Sequence, residues 1–233
     1  MILTTRRIAG AILLGLPLCY SAAAAAQAQN PAGSVRNSIN YAPEASIAMN
    51  GFKKTITTVF WVGEDATGAN AFIDNHGSYW DSHWMKHFGG VDSPTHRDGF
   101  FPAGFTPKQN PFYIALPFAE VDHDGNLKAA SKKIPGFGES GEPLTRNRWV
   151  EIRYKDKSCF AQWQDAGPFG EDDFDWVFGE AKKPRNTQGL KAGLDISPAA
   201  AQYLGIEDSA RTEWRFVDAA QVPEGPWRTI VTR

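Results

Sequence analysis

Two aspartates stand where a chain of this kind could do acid–base chemistry. Asp165 closes the run "FAQWQD" and is followed at once by Ala-Gly-Pro, and Asp195 sits in Leu194-Asp195-Ile196, just ahead of Ser197. Each marks the end of an extended run beside a turn or a helix start. Two carboxyl groups facing one cleft can divide labour: one is kept protonated by an apolar setting and donates to a leaving oxygen. The other stays ionised as base, nucleophile or stabiliser of positive charge. Strand alternation puts Cys159, Ala161, Trp163 and Asp165 on one face and Phe160, Gln162 and Gln164 on the other. If no bulge intervenes, Asp165 ends the apolar, inward face, and its place beside Trp163 favours a raised pKa. The competing structural reading is that Asp165 bonds its own Gly-Pro turn and Asp195 favours the dipole of the helix that follows.

Other candidate chemistries are weaker. Glu171, Asp172, Asp173 and Asp175 form a dense acidic stretch, but without the spacing of an EF-hand, and read as a solvated loop. His83 and His87 are four apart, flanked by His76 and His96, a spacing that can hold zinc. Trp84, however, stands where a His-Glu-x-x-His motif has its glutamate, and no metal is expected. There is no Gly-x-Ser-x-Gly elbow and no phosphate-binding Gly-Lys-Ser/Thr loop, so neither a serine hydrolase nor a nucleotide cofactor is supported. The 8 Trp, 15 Phe and 6 Tyr could stack on sugar rings along a groove, with Trp61, Trp80, Trp84 and Trp163 as candidates. A core position is the commoner explanation for any single one.

The elements that must position these residues are mostly strands. Arg6 and Arg7, an apolar run over 8–18 and an Ala-rich stretch over 21–29 read as a secretory signal peptide, so a periplasmic or secreted protein is expected. Leu18 precedes Cys19 where a lipobox has a small residue, which argues against a lipid anchor. No other run is long and apolar enough to cross a membrane. Removing the leader takes the formal net charge from −2 to about −4, a balance unsuited to holding nucleic acid through its phosphates. One cysteine then remains, Cys159, which reads as a small buried hydrophobe.

Residues 30–50 read as an extended arm and 51–233 as a single domain with long loop insertions. Strands are expected at 55–62, 112–116, 149–154, 159–164, 212–217 and 227–232, from their β-branched and aromatic content. Trp80, Trp84 and Phe88 recur at helical spacing over 78–88. "SPAAAQYLG" carries a Ser N-cap, a Pro at the first helical position and a Gly stop. With 22 Gly and 15 Pro the chain is rich in turns, and a closed or nearly closed β-barrel is expected.

"QDAGPF", then "LDISPAAAQYLGI", then "TEWRFV" resemble, in order, the core of the rare lipoprotein A-like double-psi β-barrel, shared with expansins and family-45 endoglucanases. The match covers about 60 residues, with "FYIALP" a weaker counterpart upstream. The resemblance implies a six-stranded double-psi β-barrel with a glycan groove across one face. It implies that Asp165 matches an active-site Asp of the lytic members, and Asp195 the recurrent second acid. Ala166 replaces the family's Arg, and Tyr113 stands where the lytic members carry an active-site His. The implied function is an exported protein that cleaves a β-linked glycan, peptidoglycan or another polysaccharide, by acid catalysis from Asp165 with Asp195. The alternative is a non-catalytic, expansin-like glycan-binding module.

Overall fold

The computed structural model describes residues 51–67, 73–137 and 144–233; the expected leader and arm, 1–50, lie outside the described residues. The elements run β1 (Lys53–Val59), α1 (Trp84–Phe88), β2 (Arg97–Asp98), β3 (Phe101–Pro102), β4 (Tyr113–Leu116), β5 (Trp149–Tyr154), β6 (Lys157–Ala166), α2 (Phe174–Val177), β7 (Leu194–Ile196), α3 (Pro198–Leu204) and β8 (Ser209–Val217). Six strands close a barrel in the order β1-β7-β4-β6-β5-β8, while β2 and β3 form a separate small ribbon. The expected mostly-β, six-stranded barrel with short helices is what the chain forms.

The strand order has an internal symmetry. The pairs β1/β7 and β4/β6 are parallel, and the remaining four neighbour pairs are antiparallel. Exchanging β1, β4 and β5 for β6, β7 and β8 returns the same cyclic order with the same pairing senses. The barrel is thus two interlocked three-strand halves. Closure leaves no unpaired edge in the barrel, which removes the usual hazard of edge strands.

Side-chain alternation divides two cores across the barrel wall. Ile114, Leu116, Ile152, Trp163, Ile196 and Trp214 belong to the main, interior cluster and are fully buried. Tyr113 and Ala115, the alternate residues of β4, face the other way. They pack with Phe60, Val62 and the Trp84 and Phe88 of α1 in a second cluster. Tyr113 sits edge-on to Phe60, Trp84 and Phe88, with ring centroids 5.4, 5.2 and 5.8 Å away. The segment before β4 therefore covers the outer face of β4 with aromatic side chains.

Local signals place most boundaries. Tyr154 pairs with Lys157, so the β5–β6 hairpin turns in two residues, with Lys155 at φ 54°. β6 accordingly begins earlier than the alternation suggests. Ser197 caps α3 by accepting from Ala200 N, and Gly205 ends it in the left-handed region at φ 78°. The expected helix over 78–88 is reduced to α1, because Ser78 and Asp81 exchange backbone hydrogen bonds of 2.9 and 3.2 Å in a tight bridge.

The expected strand over 227–232 does not form. Residues Pro226–Arg228 make a 3₁₀ turn. Beyond it Thr232 is tied by side chains instead of a ladder: its N donates to Gln162 Oε1 at 2.9 Å, and its O accepts from Gln162 Nε2 at 2.9 Å. A closed barrel has no free edge for another strand to join.

Candidate functional site

The two aspartates meet on one lateral row of the barrel. Thr58 of β1 pairs with Asp195 of β7, Asp195 with Ala115 of β4, and Ala115 with Asp165 of β6. Two strand spacings separate Asp195 from Asp165, about 9–10 Å between backbone positions. Ala115, between them, has the smallest side chain that still defines a face, so the space above it is open.

A register slip brings Asp165 into this row. Ile114 pairs with Trp163, but the next residue, Ala115, pairs with Asp165, leaving Gln164 as an extra residue. The alternation expected to send Asp165 inward after Trp163 is therefore interrupted. Asp165 shares the outer face of Ala115, while Trp163 stays in the barrel interior. One inserted residue re-aims the carboxyl from core to cleft.

Asp165 is 9% exposed. Its Oδ1 accepts from Tyr79 N at 2.7 Å and Ala166 N at 2.8 Å. Asp195 is partly exposed, and its Oδ1 accepts from the Thr58 hydroxyl. Among the described residues no group donates to Oδ2 of either. Burial pushes the Asp165 carboxyl up to about 7, against the pull of its two backbone donors. Burial also pushes Asp195 up to about 7, helped by the nearby charges of Asp165 and Glu64 and opposed by Thr58. Glu64 is itself raised by burial, and its Oε2 accepts from Asn75 Nδ2 at 3.0 Å.

Above the row lies a cleft of about 420 Å³. Its floor is Ala115, Asp165 and Asp195, and its walls include Phe60, Asp74, Asn75, Tyr79, the turn Gly167-Pro168-Phe169, and Glu171. The turn leans over the row: a Cβ on Gly167 would stand 3.8 Å from Ala115 Cβ and 4.0 Å from Asp195 Oδ2. Phe169, 50% exposed and at φ 49°, stands at this rim. Such a backbone is uncommon for a bulky residue and needs support from its surroundings. The opposite wall is braced by Tyr79, whose hydroxyl donates to Val121 O at 2.8 Å and whose ring carries Lys128 Nζ 5.5 Å from its centre. Lys128 also donates to Glu171 O at 2.9 Å, so one side chain links both walls.

The other candidates lie elsewhere. Tyr113 is fully buried beneath α1; its hydroxyl donates to Asp92 Oδ2 at 2.9 Å and accepts from Val62 N at 3.0 Å. Asp92 is paired in turn with Arg97 at 2.5 Å. Burial beside Asp92 pushes the phenol well above its ordinary value, so it holds its proton and cannot serve as a base. Trp84 is buried in the second core with Nε1 on Gln109 Oε1 at 3.0 Å. Trp163 is buried in the first, with Nε1 on Asp165 O at 2.7 Å, and thus supports the Asp165 backbone. Trp80 packs edge-on against Trp163 at 5.9 Å. None of these, nor Trp61, lines the cleft among the described residues.

His87 bonds Asp81 at 2.8 Å, and the rings of His83 and His87 stand 6.0 Å apart on the surface. Among the described residues no group of three or more His, Cys, Asp or Glu side chains is placed to hold a metal ion. Cys159 is buried, and burial pushes its thiol up, away from reactivity. Among the described residues no helix is long and apolar enough to cross a membrane.

Sequence reasoning did not find Thr58, Tyr79, Glu64 or Phe169. Thr58 is one of several threonines in β1, and only the register singles it out. Phe169 directly follows the Gly-Pro turn, a position that was legible but reads equally well as core. No protein-family model matches the chain, and no curated protein does.

Proposed function

We propose that this is an exported carbohydrate-active protein that cleaves a β-linked glycan in the cleft above Ala115, with Asp195 and Asp165 as its acid–base pair. The observation that carries this reading is the lateral row: two carboxyls, both raised to about 7, flank one alanine on the floor of an open cleft. Such a pair ionises in two steps, because the first negative charge opposes the second. Near neutral pH it holds about one proton, the state that acid–base cleavage needs.

The hydrogen bonds divide the roles. Two backbone N–H groups on Asp165 Oδ1 favour its ionised form. Asp195 faces two like charges and one hydroxyl, which favours keeping the proton there. Sequence parity alone assigns the acid to Asp165; the hydrogen bonds support the reverse. In this scheme Asp195 gives its proton to the glycosidic oxygen as the bond to the anomeric carbon breaks. The positive charge that develops on the sugar faces the Asp165 carboxylate. Asp165 takes the proton from the water or sugar hydroxyl that attacks, and exchange with solvent resets the pair. The gap over Ala115 leaves room for that nucleophile.

The resemblance to double-psi glycan-active barrels and the Phe169 ring at the rim support a saccharide over a peptide. The test is product release from a panel of cell-wall glycans and β-glucans by wild type, Asp195→Asn and Asp165→Asn. Release by wild type with loss in both variants is expected. A wild type that co-sediments with a glycan but releases nothing would instead be a binding module.

A further inference from the structure

We infer that the exposed face of α1 binds one divalent ion of the imidazole-seeking class, zinc, copper(II) or nickel(II), between His83 Nε2 and His87 Nε2, with Asp81 as the carboxylate behind His87. The site is separate from the cleft and does not rest on the glycan reading: neither histidine nor Asp81 lines the cavity. The spacing alone does not require a metal, since Trp84 stands at the glutamate position of the His-Glu-x-x-His motif. What the structure adds is how the two rings are held.

The helix is a fixed platform. Trp84 and Phe88 are buried in the second core, and His87 N donates to His83 O at 2.9 Å. The two exposed histidines are therefore one helical turn apart on one face. Asp81 fixes the second ring, with both carboxylate oxygens within 2.9 Å of His87 Nδ1. An ionised carboxylate only accepts, so in the neutral ring Nδ1 carries the hydrogen and Nε2 keeps the lone pair. Asp81 is held in turn: its side chain is 9% exposed, its Oδ1 accepts from His83 N at 3.0 Å, and Arg146 Nη2 stands 3.9 Å from its Oδ2. A carboxylate on the far nitrogen of a ligating imidazole orients the ring and raises its basicity. The first ring is engaged at Nδ1 by Ser82 Oγ at 3.1 Å, which also leaves Nε2 for a ligand. Among the described residues neither Nε2 has a hydrogen-bond partner.

The distance fits after a small adjustment. An ion about 2.1 Å from each Nε2 would bring the ring centres to about 4.5–5 Å, depending on its angle. They stand 6.0 Å apart, and His83, exposed and held only through Ser82, can swing inward to close the gap. Among the described residues no third His, Cys, Asp or Glu side chain joins the pair as a ligand. The remaining positions on the ion belong to water. Two imidazoles suit zinc, copper and nickel, and not calcium or magnesium, which take oxygen ligands.

The test is calorimetric titration of the protein with copper(II), nickel(II), zinc and magnesium chlorides at about pH 7.5, where the imidazoles are mostly neutral. One copper ion per chain is expected to bind tightest, nickel and zinc more weakly, and magnesium not at all. The electron paramagnetic resonance spectrum of the copper form should show two coordinated imidazoles. His83→Ala or His87→Ala should each weaken binding about a hundredfold, because the chelate is lost. Asp81→Asn should weaken it about tenfold to a hundredfold, while His96→Ala leaves it unchanged. Urea unfolding shows whether Asp81→Asn is folded; the two alanine variants, at exposed positions, decide the matter if it is not. Absence of binding, binding that survives replacement of both histidines, or a folded Asp81→Asn with wild-type affinity would each overturn the inference.

Discussion

Asp165→Asn should make the protein more stable as it makes it inactive, and the gain should depend on pH. In the folded protein burial raises Asp165 from 3.8 to about 7. Between those values the unfolded chain has already lost its proton while the folded chain keeps it. Stability therefore falls as pH rises through this window, and the full cost of the buried charge is felt above about 7. At 1.36 kcal/mol per pKa unit, that cost is about 1–2 kcal/mol near pH 5 and about 4 kcal/mol near pH 8. Asparagine keeps an oxygen for Tyr79 N and Ala166 N but never ionises. Relative to wild type, the variant should gain about 2–3 kcal/mol between these two pH values. For a domain of this size that is a difference in Tm shift of about 5–10 °C. Thermal and urea unfolding of both proteins at the two pH values, alongside glycan release, measures it. A stability difference that stays the same at both pH values would refute the burial that raises Asp165, and with it the coupled pair on which the site rests.

Three further outcomes are expected. Thr58→Val removes the hydroxyl that holds Asp195 down, so the alkaline limb of the pH–rate profile should move up by about one unit; no movement would detach Asp195 from the acid role. Tyr113→Phe strips a donor from Asp92 and an acceptor from Val62 N, which should cost about 1–3 kcal/mol in urea unfolding while leaving kcat as it is. Phe169→Ala should weaken oligosaccharide binding about threefold to tenfold, read by calorimetry, with unfolding changed by less than about 0.5 kcal/mol because the ring is half exposed.

What was legible beforehand follows from how local each signal is. The cap Ser197, the Pro198 after it and the stop at Gly205 act within one helix, and α3 forms where they put it. Strand β5 is bounded by its own alternation and matches its expected limits. The closed barrel followed from many short strands with one confident helix. The direction of Asp165 was not legible, because it depends on one extra residue against a partner strand some 50 positions away. The burial of Tyr113 depends on a similarly distant contact: its register beside Leu-Pro says where it lies along β4, but not that Trp84 and Phe88 fold over it. The failed strand at 227–232 has the right composition, yet the side chains of Gln162 and Asn110 already claim the backbone of Thr232 and Trp227, and the Asn110 backbone N–H claims the Thr232 hydroxyl.

The two-half symmetry of the barrel bears on how such a site could arise. The exchange that maps β1, β4 and β5 onto β6, β7 and β8 also maps Thr58 onto Asp165 and Ala115 onto Asp195. A barrel assembled from two identical half-chains would have to read the same from both ends of that row. It could offer two aspartates at the centre, or two at the ends, but never a donor and an acceptor in different surroundings. Joining the halves in one polypeptide lifts that restriction. The sequence Thr-Asp-Ala-Asp across the row is a broken palindrome, and the break is what lets two chemically identical side chains do different work.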